Sequence, residues 1–241
     1  MIKELMKLGE YSKKYIHYYS DDLSELIEDT FRQHKIKRFA DLGSGDGRIL
    51  FALFKKRLLD NVEAIIAVDI SEDRINNVKN ISDRISCIVA DVGNLQMLDS
   101  GSLDFAVSNQ VIEHMPEEEG LIKEAFRILS KDGIFYLSTV FKKWYGWYFY
   151  RCNGKWTLDP THLREYTEEK QLLDIIETYN FKLLANKKSL HWFAVSDFVL
   201  KRIGIRRAAY NNKFLRSLRF IKIPIIGYYN WEILLKKNGE K

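Results

Sequence analysis

The chain has 241 residues, 46% of them hydrophobic and 29% charged, which suits one sizeable α/β domain and fits neither a disordered chain nor a coiled coil. A net charge of +5 permits an anionic partner without requiring one. The two cysteines, Cys87 and Cys152, lie far apart without a C-x-x-C or Cys/His ligand cluster, so neither a disulfide framework nor a structural zinc site is indicated, and a cytoplasmic location fits.

The amino-terminal residues MIKELMKLGEYSKKY carry charges every few positions and have no apolar stretch of the signal-peptide kind. No uninterrupted run approaches the ~18 apolar residues of a spanning helix. The expectation is a soluble protein, or at most a peripheral one. Residues 1–34 read as one or two tyrosine-rich helices. From Ile36 to Val140, short β-branched or aromatic runs alternate with amphipathic stretches, the pattern of βα units on a parallel sheet. Strands are predicted at 36–42, 64–69, 85–90, 103–108 and 134–140, with helices at 47–59, 71–80 and 117–130. Leu121, Ile122, Ala125, Phe126 and Leu129 make one face of the last helix, and Lys131-Asp132-Gly133 reads as its stop. A helix at 167–178, opened by a Thr-x-x-Lys cap region, leads to strands at 181–185 and 231–236. Only three prolines and no Gly/Ser-rich linker interrupt the chain, so a single domain over 1–241 is expected.

Two segments depart from the average. Residues 141–156 hold eight aromatics and four basic residues without an acid, and residues 191–230 hold eight more aromatics and eight basic residues against one acid. Their net charges are +4 and +7, leaving −6 on the remainder. The basicity is local, in what read as cap insertions at 141–159 and 191–230.

The strongest chemical signal is Phe39-Ala-Asp41-Leu-Gly43-Ser44-Gly45-Asp-Gly47 at the end of the first strand. Glycines at alternate positions allow a tight turn and let a ligand lie against main-chain N–H groups at the next helix start. Asp41 can meet a cationic or hydrogen-bond-donating group. Arg48 follows Gly47, so the spacing is not that of a dinucleotide fingerprint, and no Gly-Lys-Ser/Thr of a P-loop is present. An ordinary glycine-rich turn is the bland alternative. Asp69, at the end of the second strand, stands where such folds bind ribose hydroxyls, although it or Ser71 could merely cap a helix. Asp91 follows the third strand and suits an adenine amino group, or only a turn. Three carboxylates at three successive strand ends argue for a common ligand.

These segments, together with Leu103-Asp104 and Asn109-Gln110-Val-Ile-Glu113-His114-Met-Pro116, resemble the class I S-adenosylmethionine-dependent methyltransferases, in particular the broad small-molecule group. His162-Leu-Arg-Glu-Tyr-Thr167 resembles a segment that re-enters the core in that group. The resemblance implies a Rossmann-like methyltransferase fold, α/β, with a seven-stranded mostly parallel sheet, helices on both faces and a helical or aromatic cap. It also implies S-adenosyl-L-methionine as cofactor. Gly43, Ser44, Gly45 and Gly47 would surround its methionine moiety beside Asp41, Asp69 and Ile70 the ribose, Asp91 and Val92 the adenine, and Asn109 the sulfonium side.

For a hydroxyl acceptor a base helps, and His114 and His162 are the histidines in recognisable motifs. His162 could face the acceptor or anchor the cap to the sheet; Glu113-His114-Met115-Pro116 also reads as a turn into the next helix. Quinone-pathway O-methyltransferases are similar, and some carry E-x-x-E-H runs that hold a divalent cation. Here Gln110 replaces the first carboxylate, so metal-free chemistry is expected. Ser108-Asn109-Gln110-Val111 does not match the Pro-Pro-aromatic motif of nucleobase-amine methyltransferases. Trp144, Tyr145, Trp147, Tyr148 and Tyr150 could form a lid or only pack the cap. Residues 196–222 alternate apolar and basic positions and could form a helix on an anionic membrane surface, on a polyanion, or in plain solvent. The favoured reading is methyl transfer to oxygen of a small or lipid-like acceptor. RNA methylation and a non-catalytic cofactor-binding subunit are the alternatives.

Overall fold

The computed structural model describes residues 19–148, 150–152, 155–194 and 222–238. The basic alternating segment falls almost wholly outside them, as do residues 1–18.

Helix α1 (Glu25–Gln33) starts at Ser24, whose hydroxyl accepts from Leu26 N at 3.2 Å, with Glu25 and Glu28 in its first turn where the helix dipole favours acids. Strand β1 (Arg38–Leu42) then runs through the glycine turn into α2 (Arg48–Lys55). It is followed by β2 (Ala64–Asp69), α3 (Glu72–Val78), β3 (Ile85–Val89) and β4 (Leu103–Asn109). A 3-10 turn at Ile112–His114 precedes α4 (Glu118–Ile128) and β5 (Leu129–Lys142). A small hairpin, β6 (Tyr150–Cys152) and β7 (Lys155–Thr157), leads to α5 (Lys170–Thr178), β8 (Phe181–Ala194) and β9 (Lys222–Lys237).

The seven-stranded sheet has the order β3-β2-β1-β4-β5-β9-β8. The first five strands are parallel, and β9 runs antiparallel to both of its neighbours. Alternation along the central strands divides the core. Phe39, Phe105, Ile134 and Tyr136 face α1, α2 and α3, while Ala40, Ala106, Phe135 and Leu137 face α4 and α5. Helices therefore cover both faces, as the parallel sheet requires.

Four expectations change. No helix stop occurs at Gly133: α4 passes directly into β5 at Leu129, and Asp132 takes the left-handed turn at φ 65. The cap over 141–159 is a turn and a hairpin, with no helix among its described residues. Helix α5 begins three residues later than expected, at Lys170, and the Gln171 side chain accepts from the N–H groups of Thr167 and Glu168 just ahead of it. Residues 191–194 and 222–230, read as insertion, belong to β8 and β9. These two strands extend past the end of β5: Lys142 pairs with Tyr228, while Trp192, Phe193 and Ala194 pair with Pro224, Ile223 and Lys222 beyond it. Trp192, Ile223 and Ile226 are at least half exposed on this overhang.

Candidate active site at the carboxyl rim of the sheet

In parallel α/β sheets, ligands bind beyond the carboxyl ends of the strands, near the place where strand order reverses. Here that place lies between β1 and β4, and the glycine turn leaves β1 there. Gly43 and Ser44 donate to Val68 O at 2.8 Å, which folds the turn over the end of β2. Gly43 has φ +78, and a β-carbon on it would lie 2.4 Å from the Val111 side chain, so only glycine admits the β4 loop against the turn. Gly47 has φ +81 and opens α2 without a side-chain cap.

Three carboxylates take different positions at this rim. Asp69 accepts from Gly45 N at 2.8 Å on one oxygen and from Ser71 N at 2.9 Å on the other, so it shapes the turn while keeping lone pairs for a ligand. Capping of α3 falls to Ser71, which accepts from Arg74 N. Asp41 is buried, and its Oδ2 has no hydrogen-bond partner among the described residues. Burial, with the neighbouring Asp69 charge adding to it, pushes its carboxyl up to about 8. Asp91 is exposed and accepts from Gly93 N at 2.8 Å; Val92 beside it is buried, and Ile70 is 38% exposed. The Asn109 Oδ1 accepts from Ser138 at 2.6 Å, and the buried hydroxyls of Ser44 and Ser108 lack partners among the described residues. A rim with buried, unsatisfied acceptors around a glycine turn suits a polar ligand carrying donors and positive charge.

The segment after β4 meets the one beginning at His162. Glu113 O accepts from Leu163 N at 2.9 Å, and Arg164 donates to the carbonyls of Ile112, Met115 and Pro116 while its Nε lies 2.7 Å from Glu118. Tyr166 bridges to Phe141 at the end of β5. This strap brings His162 against His114, with ring centroids 4.8 Å apart, and next to Glu113. His114 is pushed down to about 4 by burial first and by the His162 charge second, so it is neutral at ordinary pH. His162 is held up despite the opposing effect of burial, by its hydrogen bond to Glu165 and the charges of Glu113, Asp159 and Glu165. Burial raises Glu113 to about 7.

Two functional candidates escaped the sequence reading. His191, near the end of β8, is pushed down to about 4 by burial and then by the charges of His162 and Arg48; it lies in no motif. Tyr19 stacks on Phe51 at 4.7 Å and donates to Asp46 O in the glycine turn. A tyrosine-rich stretch before the first strand was the only signal for it. Of the five lid aromatics, Tyr148 turns inward towards Phe193 and Tyr228, whereas Trp144, Tyr145, Trp147 and Tyr150 are exposed.

This sheet order, turn and acidic rim define a class I S-adenosylmethionine-dependent methyltransferase fold. The chain belongs to the methyltransferase domain family, whose model matches residues 33–191; the family's cofactor is S-adenosyl-L-methionine. It is 28% identical over 145 residues to a protein of Mycolicibacterium smegmatis named "probable S-adenosylmethionine-dependent methyltransferase", covering 60% of this chain and 51% of that one. An arsenite methyltransferase of Aquipseudomonas alcaligenes is 31% identical over 114 residues, 42% of this chain and 32% of its own. The chain thus spans about half or less of these curated relatives. The solved structure of an S-adenosylmethionine-dependent methyltransferase from Methanosarcina mazei superposes with a TM-score of 0.61 at 17% identity, covering 91% of this chain and all of that one.

Proposed function

We propose that the chain transfers the methyl group of S-adenosylmethionine to an oxygen of a small or lipid-like acceptor. The observation that carries the reading is the pair Asp41 and Asp69: adjacent carboxylates at neighbouring strand ends, the first buried with an oxygen unpartnered among the described residues, beside a turn of left-handed glycines. The residues fit the cofactor. Asp69 keeps acceptor capacity for the ribose hydroxyls, Asp41 suits the cationic methionine end, and Asp91, Val92 and Ile70 border an open side for the adenine.

The sulfonium is already activated, so the protein has to align the acceptor and exclude water. When bound, S-adenosylmethionine would supply a methyl carbon to which the acceptor oxygen can bond as the carbon–sulfur bond breaks and that bond's electron pair neutralises the sulfur. Glu113, His114 and His162 stand on the acceptor side, where they would promote the loss of the acceptor's proton. The strap carrying His162 enters the rim beside the β4 loop, whose Val111 packs against Gly43. An apolar or amphiphilic acceptor is favoured by the exposed Trp192, Ile223 and Ile226 on the β8–β9 overhang and by the basic sequence between these strands.

Incubation with methyl-labelled S-adenosylmethionine and, separately, a lipid extract, small phenols and total RNA tests this. Label in the lipid or phenol fraction is expected. Label in RNA alone would overturn the acceptor class, and cofactor binding without any transfer would overturn catalysis.

A further inference from the structure

We propose that Glu113, His114 and His162 form a divalent metal site, of the two-imidazole, one-carboxylate kind that takes zinc or a neighbouring first-row ion. The proposal rests on the reading of this rim as the acceptor side. It adds an ion that the sequence pattern argues against, since Gln110 stands where a first carboxylate ligand would be needed. Gln110 in fact turns away, its Nε2 donating to Asn230 at 2.9 Å from a backbone at φ 57. The fold supplies a ligand from elsewhere: His162, carried in by the strap, 48 residues after His114.

Three observations converge. First, one ligand atom from each of the three residues lies within 4.8 Å of the others. Second, each side chain is held by its other end. The Nδ1 of His114 lies 3.2 Å from Thr161 O and 3.1 Å from the Thr161 hydroxyl, which gives its own proton to Asp159; the tautomer that suits both contacts carries the proton on Nδ1 and leaves the Nε2 lone pair free. The Nδ1 of His162 lies 3.1 Å from Glu165 Oε1, and that carboxylate is itself fixed by Leu158 N and the Thr157 hydroxyl. Glu113 Oε2 accepts from Thr139 at 3.0 Å. Such outer partners, which set the tautomer and orientation of each ligand, accompany metal-bound histidines generally. Third, Glu113 is fully buried, yet its Oε1 has no hydrogen-bond partner among the described residues. A buried carboxylate oxygen without a hydrogen-bond partner is costly unless a cation joins it.

The surrounding charge agrees. Asp159 and Glu165 face the cluster along with Glu113, against the cations Arg74 and Lys142, the latter 3.4 Å from Glu165. In a tetrahedral zinc site, with bonds of about 2.0–2.1 Å, ligand atoms stand about 3.3 Å apart, so the three side chains close on the ion by up to about 1.5 Å. Three protein ligands leave a position open, as in sites where the ion polarises a substrate oxygen. The bland arrangement is a protonated His162 shared between Glu113 and Glu165, with no ion.

The test uses the full chain, stripped with chelator, loaded with zinc chloride or cobalt(II) chloride and freed of excess by dialysis. About one ion per chain is expected, with a visible cobalt spectrum of a low-coordinate site and a higher melting temperature on loading. Glu113→Gln and His162→Gln should each weaken binding by well over tenfold, and Glu165→Gln by about 10–100-fold through the lost outer contact. Wild-type protein that retains no ion, or variants that bind as it does, would overturn the proposal. Should a variant fail to fold, the wild-type cobalt spectrum decides, and one matching the aqueous ion counts against the site. Calorimetry of S-adenosylmethionine on the same stripped protein reports separately on the methyltransferase reading.

Discussion

Replacing Asp41 with Asn should stabilise the free protein while weakening its hold on the cofactor. The carboxyl is raised from 3.8 to about 8 by burial. A group with a raised folded-state value favours its protonated form in the native state. Its contribution is therefore fully present below about pH 4 and is lost as the pH rises towards 8. At pH 7 the penalty is the gap between 7 and the unfolded value, about 4 kcal/mol at 1.36 kcal/mol per unit. Asparagine removes it but buries an amide with its own unsatisfied hydrogens, at about 1–3 kcal/mol. Denaturant unfolding at pH 7 should thus show the variant more stable by about 1–3 kcal/mol, with the advantage gone near pH 4. Binding a cationic ligand draws the carboxylate into its ionised form. Calorimetry of the wild type at pH 7 in buffers of different ionisation enthalpy should then show close to one proton released, and the variant should show a smaller release and lower affinity. A variant no more stable than wild type at pH 7, with equal affinity and equal proton release, would refute the assignment of Asp41.

Two other substitutions probe the scaffold. Gly43→Ala forces a side chain at φ +78 to within 2.4 Å of Val111, so unfolding should shift by about 1–3 kcal/mol and cofactor affinity should fall; an unchanged denaturation midpoint would contradict this. Arg164→Met removes donors to three carbonyls and the Glu118 ion pair, which loosens the strap on the 3-10 turn while its backbone bonds to Glu113 O remain. Turnover should drop at least tenfold with cofactor affinity retained, and equal loss of both would place the strap's role in the cofactor site instead.

The glycine turn, the acids at three strand ends and the two histidine motifs were legible because each is a local demand on the backbone or on a strand terminus. Gly43 must be glycine for reasons that lie within a few residues of it and on the β4 loop. The lengths of β8 and β9 were not legible, because charges interrupt their apolar alternation: Lys187 and Lys188 in β8 are satisfied by Glu25 and Glu169, partners distant in sequence. The start of β5 was hidden by Lys131-Asp132-Gly133, which has the composition of a helix stop, whereas Asp132 takes the left-handed conformation there. Convergence of His162 on Glu113 and His114 depends on Arg164 and on the backbone bonds of Leu163, long-range contacts that no spacing rule reveals. His191 had no pattern around it at all. No described helix is long and apolar enough to cross a membrane, and the basic alternating stretch lies outside the described residues.

The central claim is that S-adenosylmethionine occupies the rim between the glycine turn and Asp69. Titration calorimetry of the cofactor into wild type and Asp69→Ala tests it most directly, because Asp69 braces Gly45 and Ser71 and is the group proposed to meet the ribose. One site per chain is expected in the wild type, with affinity at least about 100-fold weaker in the variant, the effect of losing charged hydrogen bonds worth about 1.5–3 kcal/mol each. Equal affinity in the two proteins, or no binding to the wild type, would contradict the account.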